Sequence, residues 1–333
     1  MKLADIAERA GVSLTTVSRV VNGDRNVKSS TRARVQRTMD ELNYYPNLHA
    51  RSLAGGNSKT IGVLVSNLDN PFFLDIYRKI DNLAQRNGYD SVVSATHYDP
   101  DRLRAGIQSM IGRRVAGIAV VVSEMEPHIV EELSKVEIPV VFYDVGRGGK
   151  RVTNIRLDYT KGMRQLLEYL FALGHRRMAF ISYPLPLQST EERRTAFLEM
   201  MAAHAAPAHV ISASSDEFAS SREAARELLR AGFEPTAILC VNDLMAVGVL
   251  KELSEQGISV PRQISVTGYD NIPLSQVTIP ALTTIHIPRE EIAQLAFDVL
   301  VPGRTGSSKL GQEILVEPEL IVRQSTGLAP VKS

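Results

Sequence analysis

The chain has 333 residues, 44% hydrophobic and 23% charged, an ordinary balance for a soluble globular protein of two or three structural units. No apolar run approaches the ~20 residues that span a bilayer, and the opening Met1-Lys2-Leu3-Ala4-Asp5 lacks the apolar stretch of a secretory signal. The single cysteine, Cys240, excludes an intramolecular disulfide framework, so a cytoplasmic protein is expected. The net charge of +1 hides an asymmetry: residues 1–60 hold 10 Lys/Arg against 5 Asp/Glu. A basic head on a mildly acidic body fits a polyanion-binding module joined to something else.

The segment Leu3 to Asn22 reads as two short helices joined by a tight turn. Leu3, Ile6, Ala7 and Ala10 share one apolar stripe, and Val17, Val20 and Val21 the next. Gly11 sits where the chain reverses, Ser13 is placed to cap the second helix, and Asn22-Gly23 ends it. This pattern predicts a helix-turn-helix whose second helix enters the DNA major groove. Leu14, Thr15, Thr16, Ser18 and Arg19 face away from its core. A third helix is predicted from about Ser30 to Asn43, with Ser29 or Ser30 as its cap, and Tyr44-Tyr45-Pro46-Asn47 stops it. A linker containing Gly55-Gly56 follows.

From Thr60 onward, apolar β-branched runs alternate with amphipathic helical stretches. Strands are predicted at 61–65, 91–95, 117–122 and 140–143, with helices at 72–87, 102–112 and 128–136 between them. The alternation then restarts, with strands at 178–182, 210–212, 237–241 and 264–267 and helices at 162–173, 192–204, 222–231 and 244–256. Continuous apolar strands separated by helices mean two doubly wound parallel sheets, with a ligand cleft at the carboxyl ends of the strands.

At Asp5-Ile-Ala, Ala10-Gly-Val-Ser13, Thr16-Val-Ser-Arg-Val-Val-Asn-Gly23 and Ala50-Arg-Ser-Leu53 the chain resembles the lactose/galactose repressor family. Asn70-Pro-Phe-Phe73, Gly174-His175, Asn242-Asp243, Gly268-Tyr-Asp-Asn271 and Pro280-Ala-Leu-Thr-Thr284 extend the resemblance over nearly the whole length. It implies an all-α helix-turn-helix head (1–46) and a hinge helix and linker (47–59). These lead to an α/β periplasmic-binding-protein-like core (60–333) for effector binding and dimerisation. The N-subdomain would take about 60–158 plus 288–318, and the C-subdomain about 159–287 plus 319–333. Chain crossings are expected near Asp158-Tyr159, Ile287-Pro288 and Pro318-Glu319.

Arg19 carries a forked guanidinium suited to bidentate contact with guanine. The resemblance puts base-reading residues at Leu14, Thr15 and Arg19. Leu14 departs from the polar residues often found there and could only pack on a thymine methyl. Thr16, Ser18, Asn22 and Arg51 are assigned to the DNA backbone, a positioning role. The resemblance places Leu53 as a wedge in a minor-groove step, within a hinge helix that orders on DNA.

In the core, Asn70, Phe72 and Phe73 follow the first strand, where aromatic faces could stack on a sugar. Asp144, Arg193, Asn242 and Asp270 match ligand-contacting positions of sugar-responsive relatives, with Phe218 and His286 as weaker candidates. Val145 stands where some relatives have Arg or an aromatic, so a mono- or disaccharide is favoured over a nucleobase-type corepressor, which stays open as the alternative. No P-loop, His-Glu-x-x-His, Gly-x-Ser-x-Gly or Cys-x-x-Cys pattern occurs. An enzyme, a metal site and a cofactor are therefore not expected, and an exported sugar-binding protein ranks behind them. The reading is a repressor acting as a homodimer on palindromic double-stranded operator DNA. The tail after Gly327 has no heptad repeat, so a tail-mediated tetramer is not expected.

Overall fold

The computed structural model describes residues 3–21, 24, 26–44, 58–122, 127–144, 151–184, 187–215, 218–301 and 310–330. The predicted contacts at Asn22, Arg51 and Leu53, and most of the hinge, lie outside these residues. The chain divides into two compact units, residues 1–58 and 59–333.

The first unit holds α1 (Leu3–Ala10), α2 (Leu14–Val21) and α3 (Ser29–Glu41). Ile6, Ala7, Ala10, Val17, Val20, Val35 and Met39 are buried together, so the apolar stripes of all three helices meet in one small core. Gly11 adopts φ +59°, a left-handed turn that glycine tolerates without a Cβ clash. Ser13 Oγ accepts a hydrogen bond from the Thr16 N–H at 3.1 Å, capping α2 as expected. α3 departs from expectation: Lys28 stands at its N-cap and no side chain caps the helix, while Ser29 already lies within the first turn.

The second unit contains two six-stranded sheets. The first includes β1 (Thr60–Val65), β2 (Asp90–Ala95), β3 (Ile118–Val121), β4 (Val140–Tyr143), β5 (Val152–Leu157) and, from near the end of the chain, β11 (Glu313–Val316). Its order is β11-β5-β4-β3-β1-β2, and every pairing is parallel. The second includes β6 (Met178–Ser182), β7 (Ala208–Ser212), β8 (Ala237–Cys240), β9 (Ser265–Asp270), β10 (Thr283–His286) and β12 (Glu319–Ile321), in the order β12-β10-β9-β8-β6-β7. Here β12 pairs antiparallel with β10, the one departure from the parallel rule among the described strands. Helices α4 (Pro71–Arg86), α5 (Pro100–Gly112), α6 (Pro127–Ser134), α7 (Tyr159–Ala172), α8 (Gln188–Ala203), α9 (Phe218–Arg230) and α10 (Asp243–Glu255) connect the strands. The short α11 (Leu274–Val277) and α12 (Arg289–Leu300) follow in the return segment.

Burial explains these choices. Ile61, Val63, Leu64 and Val65 of β1 are fully buried, as strands covered on both faces must be. Each such aliphatic side chain contributes about 1.5–3 kcal/mol by leaving water. On α4, Phe72, Phe73, Ile76, Ile80 and Ala84 are buried at helical spacing, and Pro71 occupies the first turn, where no backbone donor is needed. The sequence pattern does not announce β5, β10, β11, β12 or α12. β5 carries buried Thr153 and Asn154 within Val-Thr-Asn-Ile-Arg-Leu, and β11 and β12 are short edge strands whose partners lie about 30 to 160 residues upstream. The chain passes between the two sheets after β5, after β10 and after β11.

Candidate functional site

The strands of both sheets deliver their carboxyl ends to a common cleft. It is lined by Asn70, Phe72, Phe73, Tyr98, Tyr143, Tyr159, Tyr183, Ser189, Arg193, Asn242, Asp270 and Ile287. Six of the seven effector residues expected from the sequence are among these, and the seventh, Asp144, directly follows Tyr143. The pattern had not pointed to Tyr98, Tyr143, Tyr159 or Tyr183. Their position at or just after a strand end or a chain crossing was the available signal.

Two asparagines mirror each other across the sheets. Asn70 Oδ1 caps α4 by accepting from the Phe72 N–H at 3.0 Å, and Asn242 Oδ1 caps α10 by accepting from the Met245 N–H at 2.8 Å. Each carbonyl is committed to a helix start, which leaves the amide nitrogen as the donor available to a ligand. The aromatic wall is built by contact: Phe72 meets Phe73 edge-on at 5.2 Å and Tyr143 at 5.9 Å between ring centroids.

Arg193 is only 6% exposed. Its guanidinium sits 4.8 Å from the Tyr159 ring centre and 5.0 Å from that of Tyr269. Nε donates to Ser189 O at 2.9 Å and a terminal nitrogen to Val241 O at 2.7 Å. Stacking and carbonyl bonds together hold a desolvated cation in one orientation.

The carboxylates carry backbone strain. Asp144 has φ +60° and Asp270 φ +115°, followed by Asn271 at +56°, values that non-glycine residues rarely adopt. Arg289 holds the second bend: it donates to the Asp270 carbonyl and, at 2.8 Å, to the Asn271 carbonyl. Burial pushes the Asp144 carboxyl up to about 7, a shift opposed by a hydrogen bond from the Leu157 N–H at 3.2 Å. Behind the cleft, fully buried Asp243 accepts from Thr284 Oγ1 at 2.5 Å and from the Ile272 N–H at 2.8 Å. Burial, reinforced by the neighbouring Asp270 charge, raises its pKa well above the ordinary carboxylate range.

The free space inside the cleft is about 40 Å³. Small-molecule sites usually offer about 300–1,000 Å³, so the cleft as it stands is closed around little free space. A wider open groove of about 500 Å³ lies beside Asp75, Lys79, His286 and Arg289. Its main charges are already paired, Lys79 with Glu290 at 2.6 Å and Arg289 with Asp75 at 2.7 Å. His286 faces that groove and contacts the Asn271 side chain at 3.1 Å, while Phe218 starts α9 and is 37% exposed. Neither lines the cleft.

In the head, Leu14, Thr15 and Arg19 are exposed on one side of α2, with the Arg19 side chain 62% accessible and 3.8 Å from Asp24. Thr16 and Ser18 are half-buried, and Thr16 Oγ1 lies 2.9 Å from Ser13 Oγ. Among the described residues no group of three His, Cys, Asp or Glu is placed to hold a metal ion, and no helix is long and apolar enough to cross a membrane.

A helix-turn-helix head followed by a two-sheet core with a polar, aromatic-walled cleft defines a ligand-responsive DNA-binding regulator. The chain belongs to the lacI family of bacterial regulatory proteins: that family's model matches residues 2–47, and a periplasmic binding protein-like domain matches residues 167–326. It is 34% identical over 337 residues to the HTH-type transcriptional repressor PurR of Proteus mirabilis, covering 98% of this chain and 97% of the relative. Among solved structures it is similar to the Lac repressor dimer bound to operator and the anti-inducer ONPF, with TM-score 0.84 and 31% identity over 98% of this chain and 99% of that one. A complex of the transcriptional regulator CelR with cellobiose matches at TM-score 0.69 and 25% identity, covering 98% of this chain and 99% of the other. The protein is thus a DNA-binding transcriptional regulator whose relatives are repressors.

Proposed function

We propose that a homodimer of this protein binds a palindromic operator through its two heads, one half-site each, and that a ligand in the cleft sets the affinity. Arg19, Thr15 and Leu14 read bases from the exposed side of α2. Thr16 and Ser18, with Asn22 and Arg51, contact phosphates, and Leu53 wedges the minor groove. The protein acts in the cytoplasm, where its DNA is, and performs no catalysis.

The observation that carries the ligand reading is the convergence of Asn70, Arg193, Asn242 and Asp270 on one aromatic-walled cleft. Two carboxyl groups, Asp144 and Asp270, accompany the single Arg193, so an uncharged ligand fits better than a phosphorylated one. It needs several hydrogen-bonding groups and one flat or apolar face for Phe72. Both a nucleobase and a sugar meet that description. The sugar expectation is therefore widened: relatives named PurR are compatible with a nucleobase corepressor, while the CelR neighbour holds cellobiose.

A thermal-shift screen of purified protein against purine bases, mono- and disaccharides and their phosphates tests this reading. A ligand at 100 times its Kd adds about 2.7 kcal/mol of stability. Operator binding, followed by fluorescence anisotropy with and without the hit, then shows whether the ligand releases or promotes DNA binding. Asp270→Ala should abolish the response. A screen in which only phosphorylated compounds bind would overturn the uncharged-ligand reading.

A further inference from the structure

Tyr143 is the last residue of β4 and is 5% exposed, yet its Oη has no hydrogen-bond partner. The Tyr159 hydroxyl acts on it as a hydrogen-bond donor, lowering its proton affinity, but makes no close, well-aligned bond, so the Tyr143 O–H is left without an acceptor. A buried phenol O–H left unpaired costs the desolvation of that group, and folded chains rarely tolerate one without a reason. Tyr269 Oη is also unpaired, but it packs against Gly162 of α7 and does not line the cleft. Tyr143 does line it.

Its surroundings say what it would meet. Phe72 fixes the ring from the side, and the charges of Asp144, Asp270 and Arg193 are all felt at the phenol. Burial raises its pKa, so the hydroxyl keeps its proton and can donate. The O–H is thus a donor with no protein acceptor in hydrogen-bonding geometry, and what it lacks is an acceptor inside the cleft.

We propose that Tyr143 is a specificity-determining residue of the ligand cleft: its hydroxyl donates to an acceptor atom on the ligand, a hydroxyl or carbonyl oxygen or a ring nitrogen. Ligands with a C–H at that place are discriminated against because they leave the phenol unpaired. The proposal rests on the reading of the cleft as the effector site.

The test uses the full-length protein and Tyr143→Phe, which removes only the oxygen. Isothermal titration is run with adenine, guanine, hypoxanthine, D-ribose, D-galactose and cellobiose, and then with deoxy or des-oxo analogues of any probe that binds. Tyr143→Phe should weaken that probe about tenfold or more. Wild type should reject one analogue that the variant no longer distinguishes from its parent, a coupling that a merely structural role would not produce. Equal affinity of both proteins for the probe and all its analogues overturns the proposal. Without ligand, Tyr143→Phe should melt at or above the wild-type temperature. A lower melting temperature means the hydroxyl is already bonded within the protein, and that also overturns the proposal. If wild type binds none of the probes, the ligand class proposed above fails, while the melting comparison still decides the role of Tyr143.

Discussion

Arg289 Nε donates to Asp75 Oδ2 at 2.7 Å, joining the first turn of α12 to α4 across 214 residues of sequence. The same guanidinium holds the carbonyls of Asp270 and Asn271, so one side chain ties α4 to the strained bend that carries a cleft carboxylate. It also lies 6.0 Å from the Phe72 ring. The bend at Asp270 and the position of α4 are therefore mechanically connected.

Removing Arg289 strands a carboxylate and two carbonyls at once, with the arginine itself only 8% exposed. Arg289→Ala should cost about 3–5 kcal/mol in denaturant unfolding. Arg289→Lys should recover only part, because a point charge cannot reach three acceptors in the guanidinium plane. A loss below ~1 kcal/mol for the alanine variant would show that the fork contributes little.

Arg19 presents its guanidinium to solvent and approaches Asp24 at 3.8 Å. Arg19→Ala should relax operator preference at one base pair per half-site and cost about 1–3 kcal/mol. Selection of operators from a random pool, followed by anisotropy, measures both effects. A uniform loss across all sequences would reassign Arg19 to phosphate contact.

The Asp144 carboxyl is raised from 3.8 to about 7 in the folded protein. The native state then holds a proton that the unfolded chain has released, so this group makes stability fall as pH rises from about 4 to about 7 and is level above that. Buried Asp243 acts in the same direction. Asp144→Asn should flatten, without abolishing, the decline in melting temperature between pH 5 and pH 8. Superimposable pH profiles for the two proteins would contradict the assignment.

Gly268 lies on β9 where a Cβ would come 2.2 Å from Asp243 Oδ1 and 2.9 Å from Leu282 Cδ2. Gly268→Ala must displace Asp243 from Thr284 and overpack a filled core, at about 1–3 kcal/mol or more. Circular dichroism melts measure it directly. An unchanged melting temperature would mean the strand shifts freely, against the fully buried surroundings.

Local physics made much of this protein legible in one dimension. The stripe of Ile6, Ala7 and Ala10, the turn at Gly11 and the cap at Ser13 are all set by residues within a few positions of each other, so the head could be read directly. The buried runs at β1, β4, β6 and β8 announced two parallel sheets for the same reason. The cleft position of Asn70, Asn242 and Asp270 was legible because they stand at strand carboxyl ends, where such sheets open their clefts, whereas Arg193, on a helix, was placed there by the family resemblance.

What only the tertiary structure decided depends on contacts between residues far apart in the chain. β11 and β12 are too short to signal themselves and exist because β5 and β10 offer open edges. The caps at Asn70 and Asn242 commit half of each amide, a restriction invisible in residue type. Asp144 and Asp270 look alike in sequence, but burial sets the proton affinity of one, and the backbone carbonyl of the other is gripped by Arg289. The unpaired phenol of Tyr143 follows from what fails to reach it. Desolvation and long-range pairing are properties of the packed chain, and no spacing of letters encodes them.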